Sequence, residues 1–464
     1  MWKLFAYSRR NNDRFLRKER KDAMKLTEGT IWKKMIVFYI PLLMSSLLQQ
    51  LYNAADAVVV GKYIGKEALS AVGGTTSILF GLIIGLFTGI ASGSTVVVGK
   101  HFGADKEKKV ADTVKTSLCI SVIGGIGIGV IGYVLTPQLL GLMNTPTDIL
   151  PDATTYMRII FSGTLCSLVY NMGISILRAL GDSRIPMVLG IVGSTVNISM
   201  NLIFVLVFKR GVDGVAYATV LSQLVSCVLV LVVLRRNRNI KIDHWLKPSI
   251  NKNHLVEVLR AGLPTGVHTI MYGISNGIIQ ANINLFGTDV VAAWTAYSKI
   301  AMFFWTVMSA MGITVTAFVS QNKGAQKFDR IKSGVNQALW ISVGITLFMT
   351  FVFQVFSKPL IGIFTKDAAV LDLGMEQIKF MSACYILYTA GEIYIGALRG
   401  AGRSFSAMIS SLITVCALSV VWVEIIAKPY NNVIMTLCGF PLTWILSSIV
   451  LMLYWKILEK RAAI

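Results

Sequence analysis

Apolar residues gather along the chain into repeated runs of roughly 20 to 30, separated by short polar connectors. A helix of about 20 apolar residues spans the ~30 Å hydrocarbon layer of a bilayer. Twelve such runs can be placed, at about 33–61, 68–99, 110–135, 151–177, 185–208, 212–234, 255–286, 289–320, 331–356, 369–398, 404–427 and 431–456. Several exceed the minimum length, which predicts tilt or protrusion beyond the membrane. Gly, Ser, Thr and Pro recur within the runs, as they do in helices whose neighbours satisfy freed backbone groups. The pattern predicts an all-α polytopic membrane protein with twelve transmembrane helices.

Composition agrees with this reading: 54% of the 464 residues are hydrophobic and 14% charged, against about 25% charged in soluble domains. A net charge of +21 would suggest nucleic acid in a soluble protein, but here the bases sit in alternate connectors and nucleic acid is not an expected partner. One set of connectors and the two termini carry 33 Lys and Arg, the other set seven. The excess predicts cytoplasmic termini, and the expected location is a bacterial cytoplasmic membrane. Residues 1–32 then form a basic cytoplasmic tail, a topology signal that could also bind anionic lipid. A first bundle is expected over 33–234, a charged cytoplasmic linker over 235–254, a second bundle over 255–456 and a short cytoplasmic tail over 457–464. The first run starts after some thirty polar residues and is too long for a signal-peptide core, so it should stay in the mature protein. The six cysteines lie inside apolar runs without CxxC spacing, and the four histidines form no metal constellation along the sequence.

The two halves resemble each other at an offset near 221. Leu177-Arg-Ala-Leu-Gly-Asp-Ser183 matches Leu398-Arg-Gly-Ala-Gly-Arg-Ser404, Gly103-Ala104 matches Gly324-Ala325, and Gly141 matches Gly362. Pro41 matches Pro264 at an offset of 223. Six spans separate equivalent points, so the repeats are parallel, about an axis along the membrane normal. Transporters of this kind bind substrate near the repeat interface and move one bundle against the other. No nucleotide-binding fingerprint is present, which points to an ion gradient as the energy source.

Polar residues at membrane depth supply the candidate chemistry. Asp56 stands in Ala-Ala-Asp56-Ala-Val-Val-Val, where a carboxylate is costly and functional by default. Gln49, Asn53 and Asp56 share one helical face, and His268, Tyr272, Asn276, Gln280 and Asn284 recur every four residues in the seventh run. Two such stripes predict a shared hydrated cavity; interhelical hydrogen bonding is the plainer reading of any one member. Asn197 and Asn201, one turn apart in the fifth run, and Thr219 in the sixth add amide and hydroxyl oxygens. With Asp56 they could hold a small cation such as sodium, or Asp56 could carry a proton. Glu392, in the tenth run, has Asn171 at the repeat-related position, so this acid belongs to one half. It could neutralise a cationic substrate, or pair with Lys299 or Lys379. Asp56 is equally one-sided, since its repeat counterpart is Ile279. It lies twenty residues beyond Ile36, about 30 Å of helix, and so toward the outer leaflet.

Leu51-Tyr-Asn-Ala-Ala-Asp56-Ala-Val-Val-Val-Gly61, the two Leu-Arg-x-x-Gly segments and Gly214-Val-Ala-Tyr-Ala-Thr219 resemble the multidrug and toxic compound extrusion (MATE) family, over about 27–456. The resemblance implies a V-shaped pair of pseudo-symmetric six-helix bundles, working as a monomer without covalent cofactor. It implies export of organic cations or amphipathic drugs in antiport with protons or sodium ions, and no enzymatic activity. It also assigns the coupling ion to Asp56, Asn197, Asn201 and Thr219. NorM-like members carry a Glu where this chain has Tyr272 and an Asp near Tyr388, so the pattern is closer to the DinF-like branch. The substrate cavity is expected to use Gln49, Asn53, Tyr272, Asn276, Gln280, Tyr388 and Glu392. A lipid-linked glycan flippase of the same superfamily is the alternative, disfavoured by the few interior bases (Arg158, Lys299, Lys379). An ion channel ranks third, because two tethered repeats are unnecessary for one.

Overall fold

The computed structural model describes residues 25–143, 145–237, 240, 249–430 and 432–461. Most of the basic tail and much of the 235–254 connector lie outside the described residues. The described chain is helical, with no strand among the described residues.

Among the described residues twelve long helical segments follow one another, with a short helix Ser357–Gly362 between the ninth and tenth. In the first half these are α1 (Ile31–Tyr63), α2 (Lys66–Gly73 and Thr75–Gly103), α3 (Glu107–Leu142), α4 (Leu150–Ser162 and Thr164–Ala179), α5 (Arg184–Leu202, continued as Ile203–Val207) and α6 (Val212–Arg236). In the second they are α7 (Lys252–Ile283), α8 (Thr288–Gly324), α9 (Phe328–Val355), α10 (Ala368–Gly400), α11 (Ser404–Tyr430) and α12 (Val433–Lys460). Nine of them are individually long and apolar enough to cross a membrane, and α4, bent by 51° between its two pieces, makes a tenth. The two that fall short are α7 and α10. Both give up apolar positions to polar side chains at the recess described below: His268 and Tyr272 on α7, Tyr388, Glu392 and, beside His268, Arg399 on α10. Helices that line a polar interior have less hydrocarbon to cover, and their lower apolarity follows from that position.

The sequence repeat is written into the backbone. Residues with positive φ recur in pairs, Gly65 with Gly287, Asp105 with Gln326 and Gly181 with Gly402. A side-chain hydrogen bond recurs as well: Thr95 Oγ1 donates to the Ser175 carbonyl at 3.1 Å, and Thr316 Oγ1 to the Gly396 carbonyl at 3.0 Å. The two halves are therefore the same packing solution used twice.

The halves meet at one end. A Cβ on Gly89 of α2 would stand 2.1 Å from the Gly266 nitrogen of α7, so only glycine lets these backbones approach so closely. Near the helix ends the contact becomes reciprocal. A Cβ on Gly103 would lie 1.9 Å from the Gln321 carbonyl oxygen, and one on Gly324 1.9 Å from that of Lys100. Gln321 Nε2 also donates to the Ala179 carbonyl at 2.8 Å, joining α8 to the end of α4. At the opposite end the halves diverge into a V.

The first helix of each half leads into the other half. Leu26, Met35, Phe38, Tyr39 and Leu42 are buried in the apolar core built by α8–α12. The Leu26 carbonyl accepts from Arg330 and Asn322, and the Thr27 carbonyl accepts from Lys327 Nζ at 2.9 Å. Reciprocally, Val258 and Ala261 at the start of α7 are buried in the core built by α2, α3, α4 and α6. Beyond this crossing α1 turns to α5 and α7 to α11, and the functional side chains lie on those later stretches.

Candidate functional site

Asp56, Asn197, Asn201 and Thr219 come together in the first half. The valines that follow Asp56 explain the placement: Val59 and Val60 bury against Val205, Val212 and Val215, clamping α1 to α5 and α6 just beside the carboxylate. A π-helical turn over Ile203–Val207 follows directly on Asn201, and such turns re-aim the side chains beside them. Asn201 Nδ2 donates to Asp56 Oδ1 at 2.5 Å and to Asn197 Oδ1 at 2.8 Å. Asn197 Nδ2 in turn reaches the Thr219 hydroxyl at 3.4 Å, Tyr52 at 3.3 Å and Ser222 at 3.5 Å. Asn197, Asn201 and Thr219 are buried, whereas Asp56 is half-buried.

The donors of both amides face this carboxylate-centred cluster, while Asn201 Oδ1 is buried without a hydrogen-bond partner. An unpaired buried oxygen beside a carboxylate is a destabilising arrangement in isolation. A small cation, or a rearranged network around a protonated Asp56, would satisfy it. Tyr52 and Ser222 belong to the cluster though sequence reasoning did not single them out. Their signal was spacing: Tyr52 lies one turn before Asp56, Ser222 one turn after Thr219. Gln49 and Asn53 are exposed and stand outside it.

A second polar site lies in the second half. Tyr272, Tyr388 and Glu392 line one small recess, with His268, Trp444 and Ser448 among its other walls. The Tyr388 hydroxyl donates to Glu392 Oε2 at 2.7 Å. Room for the carboxylate comes from Gly312, where a Cβ would meet Glu392 Oε1 at 2.4 Å. Among the described residues Glu392 has no ion pair within 4.0 Å, so the pairing with Lys299 or Lys379 does not form. Aromatic rings wall the recess edge to face: Trp305 stands 4.8 Å from Tyr388 and 5.6 Å from Trp444. His268 stacks on Tyr272 at 6.2 Å and meets the Arg399 guanidinium at 3.4 Å. Asn276 and Gln280 are not part of the lining; Asn276 is exposed, and Gln280 bonds Asn284 at 2.9 Å on the open side.

One expectation is corrected. Along the sequence the histidines form no metal constellation, yet in the structure His101 and His254 come together with Glu257 within 4.8 Å. The crossing of α2 and α7 brings them together, which spacing along the chain could not reveal.

A polytopic helical bundle of two parallel repeats, with a partly buried acid in each half, is the architecture of a membrane transporter. The MatE family model matches it twice, over residues 41–203 and 264–423, beginning on Pro41 and on Pro264. The chain belongs to the MatE family. It is 26% identical to the "probable multidrug resistance protein YoeA" of Bacillus subtilis, over 95% of this chain and 96% of that one. It is also 21% identical to the multidrug export protein MepA of Staphylococcus aureus, with 83% and 85% covered. The fold is that of a solved multidrug resistance MATE family transporter of the MOP superfamily in an outward-facing conformation, with a TM-score of 0.88 at 22% identity, covering 95% of this chain and 98% of the other.

Proposed function

We propose that the protein exports amphipathic organic cations in antiport with protons or sodium ions, by alternating access of its two halves. The observation that carries the coupling role is the Asp56–Asn201–Asn197–Thr219 network, in which a partly exposed carboxylate adjoins a buried, unpaired amide oxygen. Such a group can exchange a small cation with water while its neighbours stay fixed. The relatives described as multidrug resistance and multidrug export proteins support the substrate class.

The basic connectors fall at the end where the halves meet, so by the positive-inside rule that end faces the cytoplasm. The arrangement described above is then the outward-open one, and Asp56 is reached from outside. Drug and ion would compete for the outward-open protein or act through the closing of the V. A glycan flippase is less well supported, because the second-half recess sets one acid and one neighbouring guanidinium, Glu392 and Arg399, among aromatic rings rather than a cluster of bases.

The reading is tested by reconstituting the protein with a fluorescent cationic dye and imposing a sodium gradient or a pH gradient alone. Efflux driven by one gradient identifies the coupling ion; dye movement under neither removes the antiport reading. Glu392 sits among aromatic faces that attract cations. Glu392→Gln is therefore expected to weaken transport of a monovalent cationic dye by roughly tenfold, about 1.4 kcal/mol of lost attraction, and to spare an uncharged one. Equal loss for both would mean that Glu392 supports the fold rather than the substrate.

A further inference from the structure

We propose that His101, His254 and Glu257 bind a late first-row divalent cation of the zinc class, and that the bound ion fastens the start of α7 to α2. One ligand atom from each residue lies within 4.8 Å of the other two. His254 and Glu257 are three apart on α7, so they share one face, and His101 meets that face from the last turn of α2. Tetrahedral ligands at about 2.1 Å from an ion stand about 3.4 Å apart, a separation that small side-chain rotations reach from here.

The second observation is what these groups lack. His101 and His254 are 5% and 8% exposed, and His101 Nε2 and His254 Nδ1 are both buried without a hydrogen-bond partner. The approach of His101 Nε2 to Glu257 Oε2 is 3.7 Å, too long for a hydrogen bond. The rings meet edge to face at 5.3 Å and 77°, so the contact is not flat stacking. Two unpaired imidazole nitrogens beside one carboxylate are a ligand set suited to zinc, nickel or cobalt. Lys100 and Lys109 lie within electrostatic reach of His101. Their positive charge disfavours cations held by charge alone, such as calcium or magnesium, and leaves nitrogen coordination as the source of affinity.

The place matters as much as the ligands. His101 is two residues from Gly103, at the closed end of the V, and Glu257 precedes Val258, which is buried in the first half's core. An ion that binds this arrangement more tightly than one with α2 and α7 apart stabilises the closed end. This consequence rests on the alternating-access reading, whereas metal binding itself does not.

The test uses the full chain, purified in detergent and stripped with chelator, equilibrated with micromolar zinc sulfate and desalted before metal analysis. About one zinc per chain is expected for the wild type. His101→Asn and Glu257→Gln are each expected to bind at least roughly tenfold more weakly while remaining monodisperse. No retention by the wild type, or equal retention by the doubly substituted chain, overturns the site. In proteoliposomes, zinc supplied to the face that carries His101 is expected to arrest dye efflux by the wild type and not by His101→Asn. Binding without arrest overturns the fastening role. Loss of efflux in the absence of zinc counts against the transport reading and leaves the site intact.

Discussion

Asp56→Asn is expected to abolish gradient-driven efflux, by roughly 100-fold or more, while the protein still folds and inserts. Asparagine keeps the shape of aspartate and an oxygen that can accept from Asn201 Nδ2, so the 2.5 Å contact has a substitute. What disappears is the negative charge, and with it the ability to take up a proton or balance a sodium ion. Removing a charge from a helix that faces lipid and a narrow cleft does not cost stability, because its desolvation penalty goes with it. The unfolding temperature of the variant in detergent should therefore equal or exceed that of the wild type. The measurement pairs dye efflux in proteoliposomes with thermal unfolding of the same preparation. Undiminished efflux would remove Asp56 from coupling; lost efflux with a collapsed unfolding transition would mean that the residue serves the fold. Asn197→Ala, which removes the donor to Thr219 while leaving Asp56 charged, should give a smaller loss.

The second large effect is expected where the halves close on one another. In Gly103→Ala the added methyl would lie 1.9 Å from the Gln321 carbonyl oxygen, and in Gly324→Ala 1.9 Å from that of Lys100. Neither obstacle is a side chain that can swing aside, since both are backbone atoms within helices. Overpacking of this kind costs about 1–3 kcal/mol, and here it falls wholly on the closed arrangement. Either substitution should reduce efflux by roughly tenfold or more and raise amide hydrogen exchange in residues 98–104 and 319–325. Gly277→Ala is the control, because nothing lies within 4 Å of the added methyl and exchanging glycine for alanine in a helix is worth about 0.5–1 kcal/mol. Normal efflux and exchange in Gly103→Ala would show that this end does not have to close so tightly.

Much of this architecture was legible in the sequence because a bilayer leaves a helical chain few choices. Long apolar runs, the two Leu-Arg-x-x-Gly segments and the matched prolines were enough for the helix order and the repeat. The first-half cluster was also within reach, since Asp56, Asn197 and Asn201 are conspicuous in apolar surroundings. Helical spacing alone did not say which neighbours would join it. Tyr52 and Asn53 flank the direction of Asp56 about equally, at four and three residues' distance. The structure turns Tyr52 inward and leaves Asn53 exposed, because the valines after Asp56 fix how α1 rotates on α5. On α7 the four-residue spacing predicts a single cavity wall from the whole polar stripe. Its slow rotation takes Tyr272 into the recess and carries Asn276 and Gln280 away from it. The meeting of His101 with His254 and Glu257 was beyond reach for a different reason. It depends on how two helices from different halves cross, and side-chain periodicity is silent on partners.

The exchange of leading segments also bears on how the molecule is made. Leu26, Met35 and Phe38 leave the ribosome early, yet the core that buries them is built from α8 to α12. The first half in turn lacks Val258 and Ala261 until synthesis has passed the charged connector. Neither half can reach its final packing during its own translation, and a truncated half would insert with an unfilled seat. Completion is a late, mutual event, and substitutions at Leu26 or Val258 should therefore act on the yield of folded protein before they act on transport.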